Sequence, residues 1–163
     1  MSRKIFFIMA LIIFLSAMSC RYDMYKGCDS MPQQTIGTGE IIQNALFRRS
    51  KAHSSLPQEG QVITSDSLNI FNLEVSFDNG ETYQPIDFSE YTLLGQYASG
   101  GCWVVFDRNV TKNKERQTYI YTITVIECGD CYSMDSSMNW VLIPKIEDDF
   151  SVEFIVNHRR WKG

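Results

Sequence analysis

The sequence has little of what catalytic and metal sites are usually built from. Its two histidines, His53 and His158, lie far apart along the chain. A hydrolase triad would need one of them beside a serine and a carboxylate, and no such set stands out. Zinc usually takes four ligands in two close pairs, whereas only one close pair is present, Cys128 and Cys131. We therefore expect no catalytic residues, no metal and no cofactor, and predict that the protein is not an enzyme.

Basic charge and long apolar runs are also scarce. The 15 Lys and Arg residues are outnumbered by 19 Asp and Glu residues, which gives a net charge of −4. No basic stripe appears, and this argues against nucleic acid as a partner. Beyond the first twenty residues, no run approaches the roughly 18 consecutive apolar residues of a membrane-spanning helix.

The first nineteen residues have the form of an export signal. Arg3 and Lys4 precede eleven apolar residues, Ile5 to Leu15. That run is too short for a membrane span and is typical of a signal peptide. Small residues then lead to Cys20. This arrangement resembles the lipobox of Bacteroides-group lipoproteins, which implies that Cys20 is acylated and becomes the mature N-terminus. The alternative is an ordinary cleaved signal followed by a chance cysteine.

The leader sets the expected organisation of the chain. We expect residues 1–19 to be the lipoprotein signal peptide, residues 20–58 a lipid anchor and tether, and residues 59–163 a β-rich globular domain. Two or three acyl chains are enough for stable anchoring. The expected location is therefore the cell envelope, lipid-anchored to a membrane, with the outer membrane favoured. Within the tether, apolar residues at helical spacing predict a short helix from Glu40 to about Lys51.

From Gly60 onward the pattern is typical of β-strands. Residues 117–127 and 150–156 alternate between two faces, as half-buried strands do. The charged stretch 111–116 fits a hairpin tip, and Ser65 is placed to cap a short helix. We predict a mostly β fold, an antiparallel β-sandwich or partly open barrel with one or two short helices.

Four cysteines follow Cys20, namely Cys28, Cys102, Cys128 and Cys131. Outside the cytoplasm an even set of this kind predicts disulfides. We favour a bridge from Cys102 to either Cys128 or Cys131, because all three lie in the β-rich half. Closing a loop of about 25–30 residues would contribute about 3 kcal/mol to stability in the chain-entropy model.

The Cys128-Gly129-Asp130-Cys131 motif has a second interpretation. Such a pair acts as a redox centre where a helix N-terminus lowers the pKa of one thiol. The residues that follow, 132–140, are rich in serine and make a poor helix, so we expect a structural disulfide. A thiol-disulfide oxidoreductase using this pair is the alternative.

A second local motif, Ser99-Gly100-Gly101-Cys102, precedes a predicted strand. A phosphate-binding loop would continue into a helix and end in Lys-Ser/Thr, and both features are missing. We expect the two glycines to form a tight turn or bulge whose bare backbone allows close approach. Gly100, Gly101 and the adjacent Trp103 are therefore candidates for a binding loop. Trp103, Trp140 and Trp161 are either core and rim residues or a platform for a sugar or peptide.

One short segment suggests modification. Asp66-Ser67-Leu68 resembles the acceptor sequon of Bacteroides-type protein O-glycosylation, in which Asp and Ser or Thr precede an apolar residue. The resemblance implies that Ser67 is a glycosylation candidate.

Residues from about 62 to 156 also have a recognisable layout. It runs through I-D-F-S (Ile86 to Ser89), L-L-G (Leu93 to Gly95), the Gly100-Gly101 pair and V-L-I-P-K (Val141 to Lys145) to a final V-x-F strand. This layout is similar to that of the C-terminal domain of the protease-complex subunit PrcB and of uncharacterised Bacteroides-group lipoproteins. The resemblance implies a β-sandwich that binds or stabilises a protein partner, for instance a protease, and supplies no catalytic residues.

The sequence therefore predicts a membrane-anchored, non-enzymatic lipoprotein that binds a protein or glycan partner in the envelope. Two alternatives stay open, the oxidoreductase named above and a structural accessory subunit of an envelope complex.

Overall fold

Strands make up most of the computed structural model, which describes residues 27–32, 37–49, 57–130 and 132–162. These residues contain ten strands and one short 3-10 helix, Asp66–Leu68. The strands are β1 (Thr38–Gly39), β2 (Leu46–Arg49), β3 (Gln61–Ile63), β4 (Leu73–Ser76), β5 (Gln84–Pro85), β6 (Tyr91–Gly101), β7 (Trp103–Asn113), β8 (Thr118–Cys128), β9 (Met134–Pro144) and β10 (Ser151–Arg160). The mostly β fold predicted from the sequence is confirmed.

The strands form three sheets. Sheet I has the order β1-β7-β8-β10, sheet II the order β3-β6-β9, and sheet III the order β2-β4-β5. Pairing is antiparallel except for β1 with β7 and β8 with β10. The chain leaves sheet I after β8, passes through β9 in sheet II and returns as β10. This crossing between sheets explains how β8 and β10 come to be parallel neighbours.

The main core lies between sheets I and II. Tyr121, Ile123 and Val125 of β8 are completely buried there and meet Leu94 of β6 and Ile143 of β9. The alternating face predicted for residues 117–127 is confirmed, because these three positions lie two residues apart on one side of the strand. Alternate residues of β10 pack at the margin of the same core.

Sheet II is buried on its other face as well. Leu93 and Leu142 point into a second core that is closed by Leu73 and Val75 of sheet III and by Phe71. A sheet covered on both sides has no polar face. Four successive apolar residues, from 140 to 143, therefore occupy β9 without alternation.

The segment expected to be a tether with a helix is instead folded over residues 37–49. Ile41 packs into the main core and its neighbour Ile42 into the second core. The backbone N–H of Ile42 donates to the carbonyl of Leu142 (2.8 Å). Neighbouring residues that face opposite cores have the two-residue period of extended chain, so the helix predicted from Glu40 is wrong here. Residues 50 and 51 lie outside the described residues.

Several local predictions agree with the structure. Residues 114–117 form the turn of the β7–β8 hairpin, and Pro144 is the last residue of β9. Ser65 stands at the start of the 3-10 helix, although its side chain makes no capping hydrogen bond. Across the described residues, no helix is long and apolar enough to cross a membrane.

Candidate binding site

Four long strands converge at one end of the sandwich. β6 ends at Gly101, β7 begins at Trp103, β8 ends at Cys128 and β9 begins at Met134. We call this the Cys128 end; it comprises residues 100–104, 127–130, 132–135 and 158–162 together with Cys28. Two shallow depressions open on it, of about 420 Å³ beside Trp103 and about 210 Å³ between Gly101 and Arg160.

A disulfide joins Cys28 to Cys128 at this end, across 100 residues of sequence. Both cysteines are buried, and they pack with Met31, Val105 and Ile126 on the outer face of sheet I. The bridge therefore fixes the start of the described chain to the end of β8.

This pairing corrects the sequence-based prediction. A bond between Cys102 and Cys128 was one of the two favoured bridges, and it is wrong because Cys128 is bonded to Cys28. Cys102 also forms a disulfide, with a partner outside the described residues. Cys20 and Cys131 lie outside the described residues too. Sequence separation misled the prediction, since the fold brings Cys28 back over sheet I.

The chain changes from sheet II to sheet I at Cys102. This residue has a left-handed backbone with a φ of 60°, a conformation that favours glycine. Its N–H donates to the carbonyl of Ser133 (2.8 Å), which ties the corner to the start of β9. The predicted turn at Gly100 and Gly101 is thus displaced by one residue, and both glycines remain in β6.

The two glycines have different structural roles. A Cβ on Gly100 would lie 2.8 Å from both Glu127 Oε1 and a methyl carbon of Val125, so no side chain fits. Among the described residues, a Cβ on Gly101 would meet the carbonyl oxygen of Ser133, at 3.9 Å, and no other atom within 4 Å. The contribution of Gly101 is its backbone N–H, which donates to Glu127 Oε1 (2.9 Å).

Glu127 links this corner to the C-terminal strand. Its carboxylate accepts from Gly101 and lies 3.7 Å from His158 Nδ1. Next to it, Arg160 forms an ion pair with Asp130 and also donates to the carbonyl of Gly129 (3.4 Å). These pairs are exposed and contribute little to stability. They do fix how the loop at Gly129 lies against β10.

The exposed apolar side chains of this end are Trp103, Tyr132 and Met134. Trp103 is 47 % exposed, Met134 is 74 % exposed and Tyr132 is fully exposed. A platform of three tryptophans does not form. Trp140 is buried, 5.2 Å from Phe71 between ring centroids, and Trp161 packs beside the Cys28–Cys128 bridge.

The described residues of this end include one acid–base pair, Glu127 and His158. Burial raises the pKa of the Tyr121 hydroxyl well above its usual value, but this tyrosine lies in the main core. Within the described ranges, no three His, Cys, Asp or Glu side chains are grouped to hold a metal ion. The described side chains of the Cys128 end offer aromatic rings, a thioether and exposed ion pairs for contact with a partner.

The glycosylation candidate lies elsewhere. Ser67 is exposed in the 3-10 helix, and its hydroxyl is 3.0 Å from that of Ser65. Lys145, which follows β9, donates to the carbonyl of Thr64 (3.2 Å). The helix therefore sits at the end of the sandwich opposite Cys128, where Ser67 is accessible; its modification stays a prediction.

No family model, curated protein or solved structure matches the chain. The similarity to the C-terminal domain of PrcB therefore stays a sequence-based prediction.

The sequence pointed to Gly100, Gly101 and Trp103, and the structure brings them together. It did not point to Glu127, Tyr132 or Met134. The only available signal for Tyr132 and Met134 was their two-residue spacing in a stretch otherwise rich in serine.

Proposed function

We propose that this chain is a membrane-anchored, non-enzymatic lipoprotein domain that binds a protein or glycan partner through its Cys128 end. The observation that carries the proposal is the exposure of Trp103, Tyr132 and Met134 at this end, where Trp103 also lines a shallow depression. Exposed aromatic and thioether groups on a rigid frame are typical of binding surfaces. The Cys28–Cys128 bridge contributes rigidity, because it fixes the end of β8 to the segment at Cys28.

The anchor is supported by the leader and by the disulfides. Bridges persist in oxidising compartments, which fits export beyond the cytoplasm. Acylation at Cys20 would then hold the domain on the outer membrane. The test is mass analysis of the N-terminal peptide of the membrane-extracted protein. A fatty-acid-modified Cys20 supports the anchor, and an unmodified N-terminus or an uncleaved leader contradicts it.

The similarity to the PrcB C-terminal domain favours a protein partner, such as a protease. The test is a pull-down from membranes in gentle detergent with wild type, Trp103→Ala and Leu68→Ser. Leu68 is an exposed apolar residue at the opposite end, so its variant is the matched control. A stoichiometric partner that is lost only with Trp103→Ala supports the proposal. No partner, or a partner retained by both variants, contradicts it.

The alternative oxidoreductase would need Cys128 to react with Cys131. Cys128 is instead bonded to Cys28 and only 6 % exposed, and buried structural cysteines are inert. Insulin-reduction activity that disappears in Cys131→Ser would revive this alternative. A structural accessory subunit would be recognised by co-purification with large outer-membrane machinery.

A further inference from the structure

We propose that the Cys128 end rests at the headgroup level of the membrane that carries the anchor, with Trp103, Tyr132 and Met134 in contact with lipid as long as no partner occupies them. The inference rests on the proposed anchor at Cys20. It adds an orientation of the domain relative to the membrane. It also identifies lipid as what these exposed apolar residues contact before a partner binds.

The length of chain between the anchor and the disulfide sets the orientation. Cys28 is the eighth residue after Cys20, so the two Cα atoms are at most about 29 Å apart. The bridge places the Cα of Cys28 5.7 Å from that of Cys128. The Cys128 end is thus confined close to the acyl chains.

The opposite end lies beyond this reach. β8 has eleven residues and extends for about 33 Å from its first residue to Cys128. If the domain stood on its opposite end, Cys28 would be about 33 Å above the surface, farther than the chain to Cys20 can extend. The tether therefore excludes an orientation with the opposite end on the membrane, and the exposed apolar residues decide among the orientations that remain.

This geometry distinguishes between two sets of exposed apolar residues. Leu68 and Ile70 are 51 % and 56 % exposed, but they belong to the opposite end. Trp103, Tyr132 and Met134 lie instead at the end where the chain from Cys20 reaches the fold. Tryptophan and tyrosine are the residues that favour the interface between headgroups and acyl chains.

The charges of the Cys128 end identify the kind of contact. Among the described residues it carries three basic and three acidic side chains: Arg159, Arg160 and Lys162 against Glu127, Asp130 and Asp135. Such a balance gives no net attraction to anionic lipid. The contact is therefore apolar, and it should form on zwitterionic and anionic membranes alike.

The experiment places the acylated full chain in vesicles of phosphatidylcholine brominated in its acyl chains. Tyr132→Trp and Leu68→Trp put matched fluorescent reporters at the two ends, each in a background with Trp103→Phe and Trp161→Phe, so that the buried Trp140 is a constant contribution. We expect brominated lipid to quench the reporter at 132 and to leave the one at 68 at its value in ordinary lipid. Adding phosphatidylglycerol should leave both values unchanged.

Each other outcome has a defined meaning. Equal quenching at both positions, or none at 132 in protein that carries its fatty acid, overturns the lipid contact and leaves this end to a protein or glycan partner. Quenching at 132 only with phosphatidylglycerol contradicts the apolar contact. Protein without fatty acid, as shown by mass analysis, overturns the proposed anchor itself. Wild type provides a second reading, since quenching of its native fluorescence should fall on Trp103→Phe.

Discussion

The indole ring of Trp140 covers Gly95, its direct partner across β6 and β9. A Cβ built on Gly95 would lie 2.2 Å from a ring carbon of Trp140. The ring fills the space that a side chain would occupy and shields the glycine backbone from water. Because Trp140 also contacts Phe71, this pair connects sheet II to the second core.

Gly95→Ala should therefore destabilise the fold. The added methyl group must displace a ring packed on two sides, and overpacking of this kind costs about 1–3 kcal/mol. Urea unfolding followed by circular dichroism measures the change in the free energy of unfolding. Gly101→Ala is the control, since its methyl group meets nothing closer than 3.9 Å. Equal midpoints for the two variants would refute the role given to the ring.

Removing the Cys28–Cys128 bridge should lower the free energy of unfolding by more than Gly95→Ala does. The double variant Cys28→Ala with Cys128→Ala opens a loop of 100 residues, worth about 4–5 kcal/mol in the chain-entropy model. Denaturant unfolding under oxidising conditions gives the difference from wild type. Under a strong reductant the difference should vanish, because wild type then lacks the bridge too. A variant as stable as oxidised wild type would show that the bridge does not brace the fold.

The turn after β4 should give a measurable acid dependence. Asp78 accepts hydrogen bonds from the hydroxyl groups of Ser76 and Thr82 and from the N–H of Thr82. These bonds hold the pKa of Asp78 well below its ordinary value of 3.8. The stabilisation is present above that value and is lost as the pH falls towards the lower pKa of the folded state.

Asp78→Asn should accordingly be less stable than wild type at pH 7. The difference in the free energy of unfolding between the two should become smaller below about pH 4. Thermal unfolding of both proteins across the acid range measures this difference in stability. Carbon NMR of the Asp78 carboxyl group measures its pKa directly. A carboxyl group that titrates at or above 3.8 would contradict the hydrogen-bond assignment.

Tyr121 should control the alkaline limit of stability. It is completely buried, and its hydroxyl donates to the carbonyl of Asn139 (3.1 Å). Burial raises its pKa above the ordinary value of 10.0. The buried, neutral hydroxyl of Tyr121 therefore contributes fully to stability below pH 10, and this contribution is lost as the pH rises further.

Tyr121→Phe should cost about 1 kcal/mol at neutral pH, the usual net value of one hydrogen bond. It should also flatten the loss of stability above pH 10 that wild type shows. Ultraviolet titration gives an independent measurement, in which the ionisation step lost in Tyr121→Phe should coincide with unfolding of wild type. If the step lost in the variant occurs in the folded protein, Tyr121 is accessible to solvent.

Much of the fold could be predicted from the sequence where one face of a strand is buried. The residues around Tyr121 alternate because β8 has one core face, and that alternation survives in the sequence. β9 was harder to delimit. After Met134 its first residues, 135–137, are polar and exposed or half-buried, while the later ones are buried on both sides. No period-two signal therefore marks where the strand begins.

Two errors have physical causes. Ile41 and Ile42 each have an apolar residue four positions on, which matches a helix, but the alternation between two cores produces the same spacing by coincidence. The partner of Cys128 could not be read from the sequence, because a pairing across 100 residues depends on where residues 27–32 dock. Trp103 was identifiable as a candidate, whereas Glu127 becomes relevant only through the fold that brings it to Gly101.

The Cys28–Cys128 connectivity skips a cysteine. If the chain enters an oxidising compartment N-terminus first, Cys102 arrives there before Cys128 does. Cys28 can then form a bond with Cys102 before Cys128 is available. Oxidation in order of emergence would trap a bond absent from the folded domain. Maturation then requires that bond to be exchanged, so the yield of native protein in such a compartment should depend on a disulfide isomerase rather than on an oxidant alone.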